Sequence, residues 1–324
     1  MSLTYPEAVV VGALQGVSEL FPVSSLGHAV LLPALVGGRW AADLDVSAPE
    51  SPYLAFIVGL HVATALALIV FYRRDWARII GGLLGSLRAR RVATPEARLG
   101  WLLVLATIPV GITGLALEHL FRTTLGRPVP AAAFLLVNGL ILLGGERLRR
   151  RDPVAPVPVR VAAGSEGGPG APLVLDADPE QSAAGVGGHD DGDADRRLAG
   201  LTARDAFVVG ASQSLALLPG ISRSGISMVT GLVRGLSHED AARFSFLLAT
   251  PVILAAGMLK LPDLFGPLGD GVRGQVLAGS AVSFVAAYAA VRWLTRWFQT
   301  RTLLPFAIYC LGAGALSLIV LAVR

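Results

Sequence analysis

Lysine and cysteine are almost missing from this chain of 324 residues: Lys260 is its sole lysine and Cys310 its sole cysteine. One cysteine, set inside an apolar run, excludes a disulfide framework and a thiolate metal site. One lysine, followed by Leu261, excludes the Gly-Lys-Ser/Thr loop of a nucleotide-driven pump. Charge is also scarce, at 15% of residues against 53% hydrophobic, and a soluble domain of this size needs a more polar surface. The net charge of +4 comes almost wholly from arginine. The arginines cluster at the ends of apolar runs, which reads as membrane orientation and not as nucleic-acid binding. Met1 to Gln15 carry no basic leader and no small-residue cleavage pattern, so this stretch is expected to stay in the mature protein.

What is present instead is a series of runs near the roughly 20 apolar residues that cross a bilayer. They lie at about 53–72, 100–118, 130–148, 243–262, 274–292 and 303–323. Between the third and fourth, residues 150–200 are rich in Gly, Pro, Ala and Asp, with no apolar period. That composition predicts a disordered cytoplasmic linker between a first membrane half, 1–149, and a second, 201–324.

The halves share an internal repeat. Residues 7–27, EAVVVGALQGVSELFPVSSLG, align without gaps to 205–225, DAFVVGASQSLALLPGISRSG, and 9 of the 21 positions are identical. Chance agreement between apolar helices would supply Val, Ala and Leu. It would not readily align Gly12 with Gly210, Gln15 with Gln213, Ser24 with Ser222 and Gly27 with Gly225. Each copy is an apolar run broken by proline and serines, with arms too short to span. The freed backbone groups must be buried in protein or line a wet cavity. This predicts a re-entrant helical hairpin at about 5–36 and another at about 203–234, a kinked single span being the alternative.

One hairpin and three spans per half give an all-α polytopic membrane protein whose second half is inverted relative to the first. The arginine distribution agrees. Arg73, Arg74, Arg78, Arg88, Arg90, Arg91 and Arg98 follow the first span, Arg147, Arg149, Arg150 and Arg151 follow the third, and Arg292, Arg296 and Arg301 lie between the last two. The connections near 119–129 and 263–273 carry fewer. The arginine-rich connections are cytoplasmic by the positive-inside rule. The first hairpin then enters from outside and the second from the cytoplasm, and the two meet near the midplane.

The polar residues of the two breaks differ. Gln15 and Glu19 share one helical face, and a carboxylate in an apolar stretch is costly and functional by default. Such an oxygen pair suits a hard divalent cation, Mg²⁺ or Ca²⁺, shared with phosphate. Ser24 sits where a helix N-cap belongs. Ser25 and His28 are three apart, so a hydroxyl and an imidazole can converge for nucleophile activation or proton transfer. In the second copy Arg223 replaces Ser25, and its guanidinium can fork onto phosphate oxygens. Ser222, Ser224 and Ser227 add donors around a helix N-terminus, where anions are stabilised. One copy thus offers carboxylate, hydroxyl and imidazole, and the other an anion cradle.

QGVSELFPVSSLGH at 15–28 resembles the (E/Q)xxxE–PVSSxGH signature of the bacterial undecaprenyl-diphosphate phosphatases, and PGISRSGIS at 219–227 resembles that family's PGxSRSxxT motif. LHVATALALIVFYRRDW at 60–76 is similar to the family's third helix, with His61 at a polar position. The chain departs from the pattern in having Gln15 as the first of the acid pair and Ser227 in place of the threonine. The resemblance implies a plasma-membrane hydrolase that converts undecaprenyl diphosphate to the monophosphate, recycling the lipid carrier of cell-wall synthesis. It implies Glu19, Ser25, His28 and Arg223 as catalytic residues, and Ser24, Ser222, Arg223, Ser224 and Ser227 as phosphate contacts. Gln15 and Glu19 would be the metal ligands, and His61 and Gln213 supporting residues. The partners expected are a polyprenyl diphosphate and the bilayer, with no nucleic acid; self-association stays open, as does the choice between Ser25 and an activated water as nucleophile. The rival reading is a polyprenyl-phosphate transporter or flippase, since inverted repeats with broken helices serve transport as well. A phosphatase of the type 2 phosphatidic acid phosphatase family is excluded: no lysine precedes Arg127-Pro128, and no histidine lies within ten residues after Arg223.

Overall fold

The computed structural model describes residues 3–44, 52–120, 125–151, 191–260, 266 and 271–323. The described residues are helical, with no strand. The first hairpin is α1, Tyr5–Ser18, followed after a break by α2, Ser25–Val36. A capping box starts α1, with the Thr4 side chain accepting from Glu7 N and the Glu7 carboxylate returning to Thr4 N. A short helix not foreseen in the sequence, α3 (Gly38–Asp43), closes this region.

Next come α4 (Pro52–Phe71), α5 (Arg73–Ala89), α6 (Pro95–Leu120) and α7 (Pro128–Arg151). After residues outside the description, α8 covers Asp191–Ala199. The second hairpin is α9 (Ala203–Ser212), a 3-10 turn over Gln213–Leu217, and α10 (Arg223–Val233). The remaining helices are α11 (His238–Lys260), α12 (Arg273–Thr300) and α13 (Leu304–Val323). Five helices, α6, α7, α11, α12 and α13, are long and apolar enough to cross a membrane, and the bent pair α4 and α5 counts as a sixth. The chain is a multi-pass membrane protein.

Two expectations change. The arginine-rich stretch after the first span is not a plain loop: residues 73–89 continue as α5, bent 85° from α4. The apolar run ends at Phe71, and the pattern beyond it is amphipathic, so the helix turns across the span's direction at Tyr72. The expected linker, 150–200, overlaps two helices at its ends. Helix α7 runs on to Arg151, and residues 191–199 form α8; residues 152–190 lie outside the described residues. Helix α8 forms because Asp195, fully buried, accepts from Arg78 Nε at 3.1 Å and from Arg243 Nη2 at 3.0 Å. Asp75 joins the same cluster through Arg78, at 2.7 Å, and through Arg243. Four charges from α5, α8 and α11 thereby cancel in pairs.

The helices approach closely where side chains are absent, as membrane packing requires. A Cβ on Gly12 of α1 would lie 2.4 Å from Gly279 O of α12. At the matching position in the second copy, a Cβ on Gly210 would lie 2.1 Å from Ala106 O of α6. Both distances are impossible for a real Cβ. The shared glycine of the two repeats therefore does the same work twice, letting each hairpin's first arm press against the backbone of a long span.

Candidate active site

The broken turns meet in the protein's interior and satisfy each other's backbone. Hydrocarbon cannot hydrogen-bond an N–H or C=O that a helix break sets free, so each needs a protein partner. Ser24 caps α2 with an unusual positive φ of 70°, a conformation that costs a non-glycine residue free energy. Its Oγ accepts from Gly27 N of its own hairpin and from Gly220 N of the other, both at 3.2 Å. Gly220 itself stands at φ 112°, and a Cβ on Gly27 would come within 2.9 Å of Gly220 Cα, so glycine is required on both sides of this crossing. Ser224 Oγ donates to Phe21 O at 3.1 Å. Asn138 of α7, fully buried, joins both breaks: Nδ2 donates to Pro22 O and Oδ1 accepts from Ser222 N, each at 2.9 Å.

Over this crossing lies a cluster centred on Glu19, which is 7% exposed. Its Oε2 accepts from Ser25 Oγ at 2.5 Å and from Gln15 Nε2 at 3.1 Å, with His61 Nε2 at 3.3 Å. Its Oε1 accepts from Arg223 Nη2 at 3.0 Å. A single carboxylate therefore holds a hydroxyl, an amide, an imidazole and a guanidinium drawn from four separate helices, α2, α1, α4 and α10. Arg223 Nη1 is buried and has no hydrogen-bond partner among the described residues. An unpaired donor on a buried guanidinium is costly unless an anion arrives to take it.

The structure brings together Gln15, Glu19, Ser25, His61 and Arg223. It does not bring His28 to Ser25. The His28 ring lies with Nδ1 2.7 Å from Ser24 O and Nε2 2.7 Å from the Tyr309 hydroxyl. The two rings stack with centroids 5.8 Å apart. Ser24 and Ser222 act as N-caps, the latter accepting from Gly225 N at 3.1 Å. Ser224 is spent on Phe21 O, and Ser227 Oγ donates to Arg223 O at 2.8 Å while pairing with Ser245 Oγ at 2.7 Å. Gln213, the counterpart of Gln15, is buried at 1% exposure with neither amide atom partnered among the described residues.

Reasoning from sequence missed Asn138 and Tyr309. Asn138 carried a usable signal, being an uncharged polar residue inside the apolar run at 130–148. Tyr309 did not, because a tyrosine in an apolar helix is ordinary.

Among the described residues no three His, Cys, Asp or Glu side chains group as a metal cage. Gln15 and Glu19 bring one carboxylate and one amide to the site, the latter turned with its nitrogen toward Glu19. Hard divalent cations keep several waters and are held by one or two carboxylates together with substrate phosphate oxygens.

A family model described as "Bacitracin resistance protein BacA" matches residues 8–316. A protein of Mycolicibacterium paratuberculosis named undecaprenyl-diphosphatase is 66% identical over 322 residues, covering 99% of each chain. One of Frankia casuarinae named undecaprenyl-diphosphatase 1 is 58% identical over 364 residues, covering 98% of each. A more distant relative from Chromobacterium violaceum, named undecaprenyl-diphosphatase 2, is 38% identical over 318 residues with 97% of each chain covered.

Proposed function

This chain belongs to the bacitracin resistance protein BacA family, and we propose that it hydrolyses undecaprenyl diphosphate to undecaprenyl phosphate and inorganic phosphate. The observation that carries this reading is the 2.5 Å hydrogen bond from Ser25 to Glu19, with the Arg223 guanidinium on the same carboxylate. Phosphoryl transfer needs a hydroxyl beside a proton acceptor and a fork of positive charge over the phosphate oxygens, and these groups supply both.

In the proposed reaction the terminal phosphate lies against Arg223, whose Nη1 donates to its oxygens. Ser25 Oγ attacks the terminal phosphorus as Glu19 Oε2 takes the hydroxyl proton. The bond from phosphorus to the bridging oxygen breaks, and undecaprenyl phosphate leaves. His28 serves the leaving oxygen as proton donor once substrate displaces its contact with Tyr309. Water then attacks the phosphoserine, releasing inorganic phosphate and restoring Ser25. His61, hydrogen-bonded through Nδ1 to Ile57 O at 2.8 Å, keeps the Glu19 carboxylate in register. Ser24, Ser222, Ser224 and Ser227 hold the two helix N-termini that face the phosphates. Gln213 supports the second turn. A divalent cation, Mg²⁺ or Ca²⁺, held by Glu19 and Gln15 would neutralise diphosphate charge at this site.

We further propose an inverted-repeat architecture of halves 1–149 and 201–324, each with one re-entrant hairpin and three spans, in the bacterial plasma membrane. It is supported by the matched close approaches of Gly12 and Gly210 and by the one-sided arginine distribution. The test is release of phosphate from undecaprenyl diphosphate by purified protein, with and without chelator, on wild type and Ser25→Ala. The covalent scheme expects loss of activity with chelator and loss in the variant. Near-normal release by Ser25→Ala would replace the serine with an activated water.

A further inference from the structure

Arg223 and the groups around Glu19 receive the terminal phosphate, but a lipid diphosphate carries a second, inner phosphate that joins it to the prenyl chain. Helix α13 brings one more polar group to this place. Phe306, Tyr309 and Cys310 recur at helical spacing on one face of α13. Phe306 packs edge-on against Phe21 with ring centroids 5.5 Å apart, and Cys310 Sγ donates to Pro22 O at 3.8 Å. This face is therefore docked on the first helix break, and Tyr309 reaches His28 from it.

The hydrogen bonds of His28 are directional. Ser24 O can only accept, so the ring nitrogen Nδ1, 2.7 Å away, carries a proton. The same carbonyl accepts from His28 N at 3.2 Å, so backbone and ring are both held to it. In the neutral ring Nε2 is then a lone pair, and the Tyr309 hydroxyl, 2.7 Å away, donates to it. When His28 serves as proton donor, Nε2 carries a proton of its own and turns it on the bridging oxygen. Tyr309 thereby loses its acceptor, and a hydroxyl left without a partner inside a site is costly. The inner phosphate offers the replacement, because its non-bridging oxygens lie two bonds from the bridging oxygen.

Burial orders the same groups from the interior to the lipid. Glu19 is 7% exposed, His28 is half-buried, and Tyr309 is 48% exposed beside Ile308 at 62% on the outer face of this span. A lipid diphosphate must follow that order, with its terminal phosphate inward at Arg223 and its prenyl chain outward in the bilayer. The inner phosphate falls between them. From this geometry we infer that Tyr309 is a specificity-determining residue: released from His28 Nε2, its hydroxyl donates to a non-bridging oxygen of the inner phosphate and so recognises the phosphate that stays with the lipid. The inference rests on the hydrolytic reading of the site.

The experiment is steady-state hydrolysis of undecaprenyl diphosphate by purified wild type and Tyr309→Phe, with each product added as inhibitor. Phenylalanine keeps the ring that stacks on His28 at 5.8 Å and removes only the hydroxyl. A hydrogen bond to a charged oxygen is worth on the order of tenfold in binding. The variant should raise KM about tenfold, with a smaller fall in kcat. Inhibition by undecaprenyl phosphate, which carries the inner phosphate, should weaken by a similar factor, while inhibition by inorganic phosphate, which occupies the terminal position, should not change. Equal weakening of both products would mark a structural role and overturn the proposal. So would a loss of kcat at unchanged KM, which would reduce Tyr309 to holding the His28 ring, or wild-type behaviour throughout. The ratio of the two inhibition constants is internal to one protein, so it carries the test even if the variant is less stable. Absence of hydrolysis by wild type would sink the hydrolytic reading and this one with it, whereas normal hydrolysis with an unchanged ratio in the variant would sink this one alone.

Discussion

Asn138→Ala is the substitution that most directly probes how the two broken helices are joined. The side chain is fully buried and bridges Pro22 O and Ser222 N, each at 2.9 Å. Removing it leaves Ser222 N without its partner, while Pro22 O keeps the 3.8 Å contact from Cys310 Sγ. A buried unsatisfied group costs about 1–3 kcal/mol, so the variant should lose at least that much stability. The second effect is on chemistry. Ser222 is the N-cap directly before Arg223, and a shift of this turn moves the guanidinium relative to Ser25. A displacement of about 1 Å at a reacting centre costs on the order of 100-fold in rate. Thermal unfolding in detergent and hydrolysis of undecaprenyl diphosphate measure the two effects separately. Cys310→Ala is the control: it removes the thiol 3.3 Å from Asn138 Nδ2 but leaves both backbone bonds, and should cost about 1 kcal/mol or less. Wild-type stability and activity in Asn138→Ala would refute the idea that this residue staples the turns.

The other predictions are shorter to state. Gly210→Ala should destabilise by about 1–3 kcal/mol, because its Cβ would press on Ala106 O, while Gly114→Ala, with open space around it, should be neutral or slightly stabilising in the same melting assay. Asp195→Ala leaves Arg78 and Arg243 sharing Asp75 and should cost about 1.5–3 kcal/mol, whereas paired replacement of charge and partner should cost less; thermal unfolding in detergent compares them. His61→Leu should lower kcat more than His61→Gln, since glutamine can still donate to Glu19.

The membrane architecture was legible because its signals are long. Runs of about 20 apolar residues survive any local detail, and the gapless repeat of Gly, Gln and Ser marked both helix breaks. The pairing of Glu19 with Arg223 across 204 positions was foreseen only as opposed chemistry, because contact between distant segments leaves no local pattern. His28 was placed with Ser25 on helical spacing alone. In the structure its ring bonds to Ser24 O and Tyr309 instead, a choice governed by the neighbouring helix α13. Helix α5 was hidden by reading arginines as a loop, although their spacing leaves an apolar stripe at Ile80, Leu84 and Leu87. Composition concealed α8 in the same way: a short acidic and basic stretch at the end of a Gly-rich segment becomes a helix only through partners on α5 and α11.

The central claim is that one site is built from both hairpins, with Glu19 and Ser25 of the first served by Arg223 of the second. Steady-state hydrolysis of undecaprenyl diphosphate by purified Arg223→Ala, beside Arg223→Lys and wild type, tests it most directly. Loss of a buried charge-assisted fork on the transferring phosphate should lower kcat by at least about 100-fold in the alanine variant, with only partial recovery by lysine, which keeps the charge but not the fork. Full activity in Arg223→Ala would contradict the account.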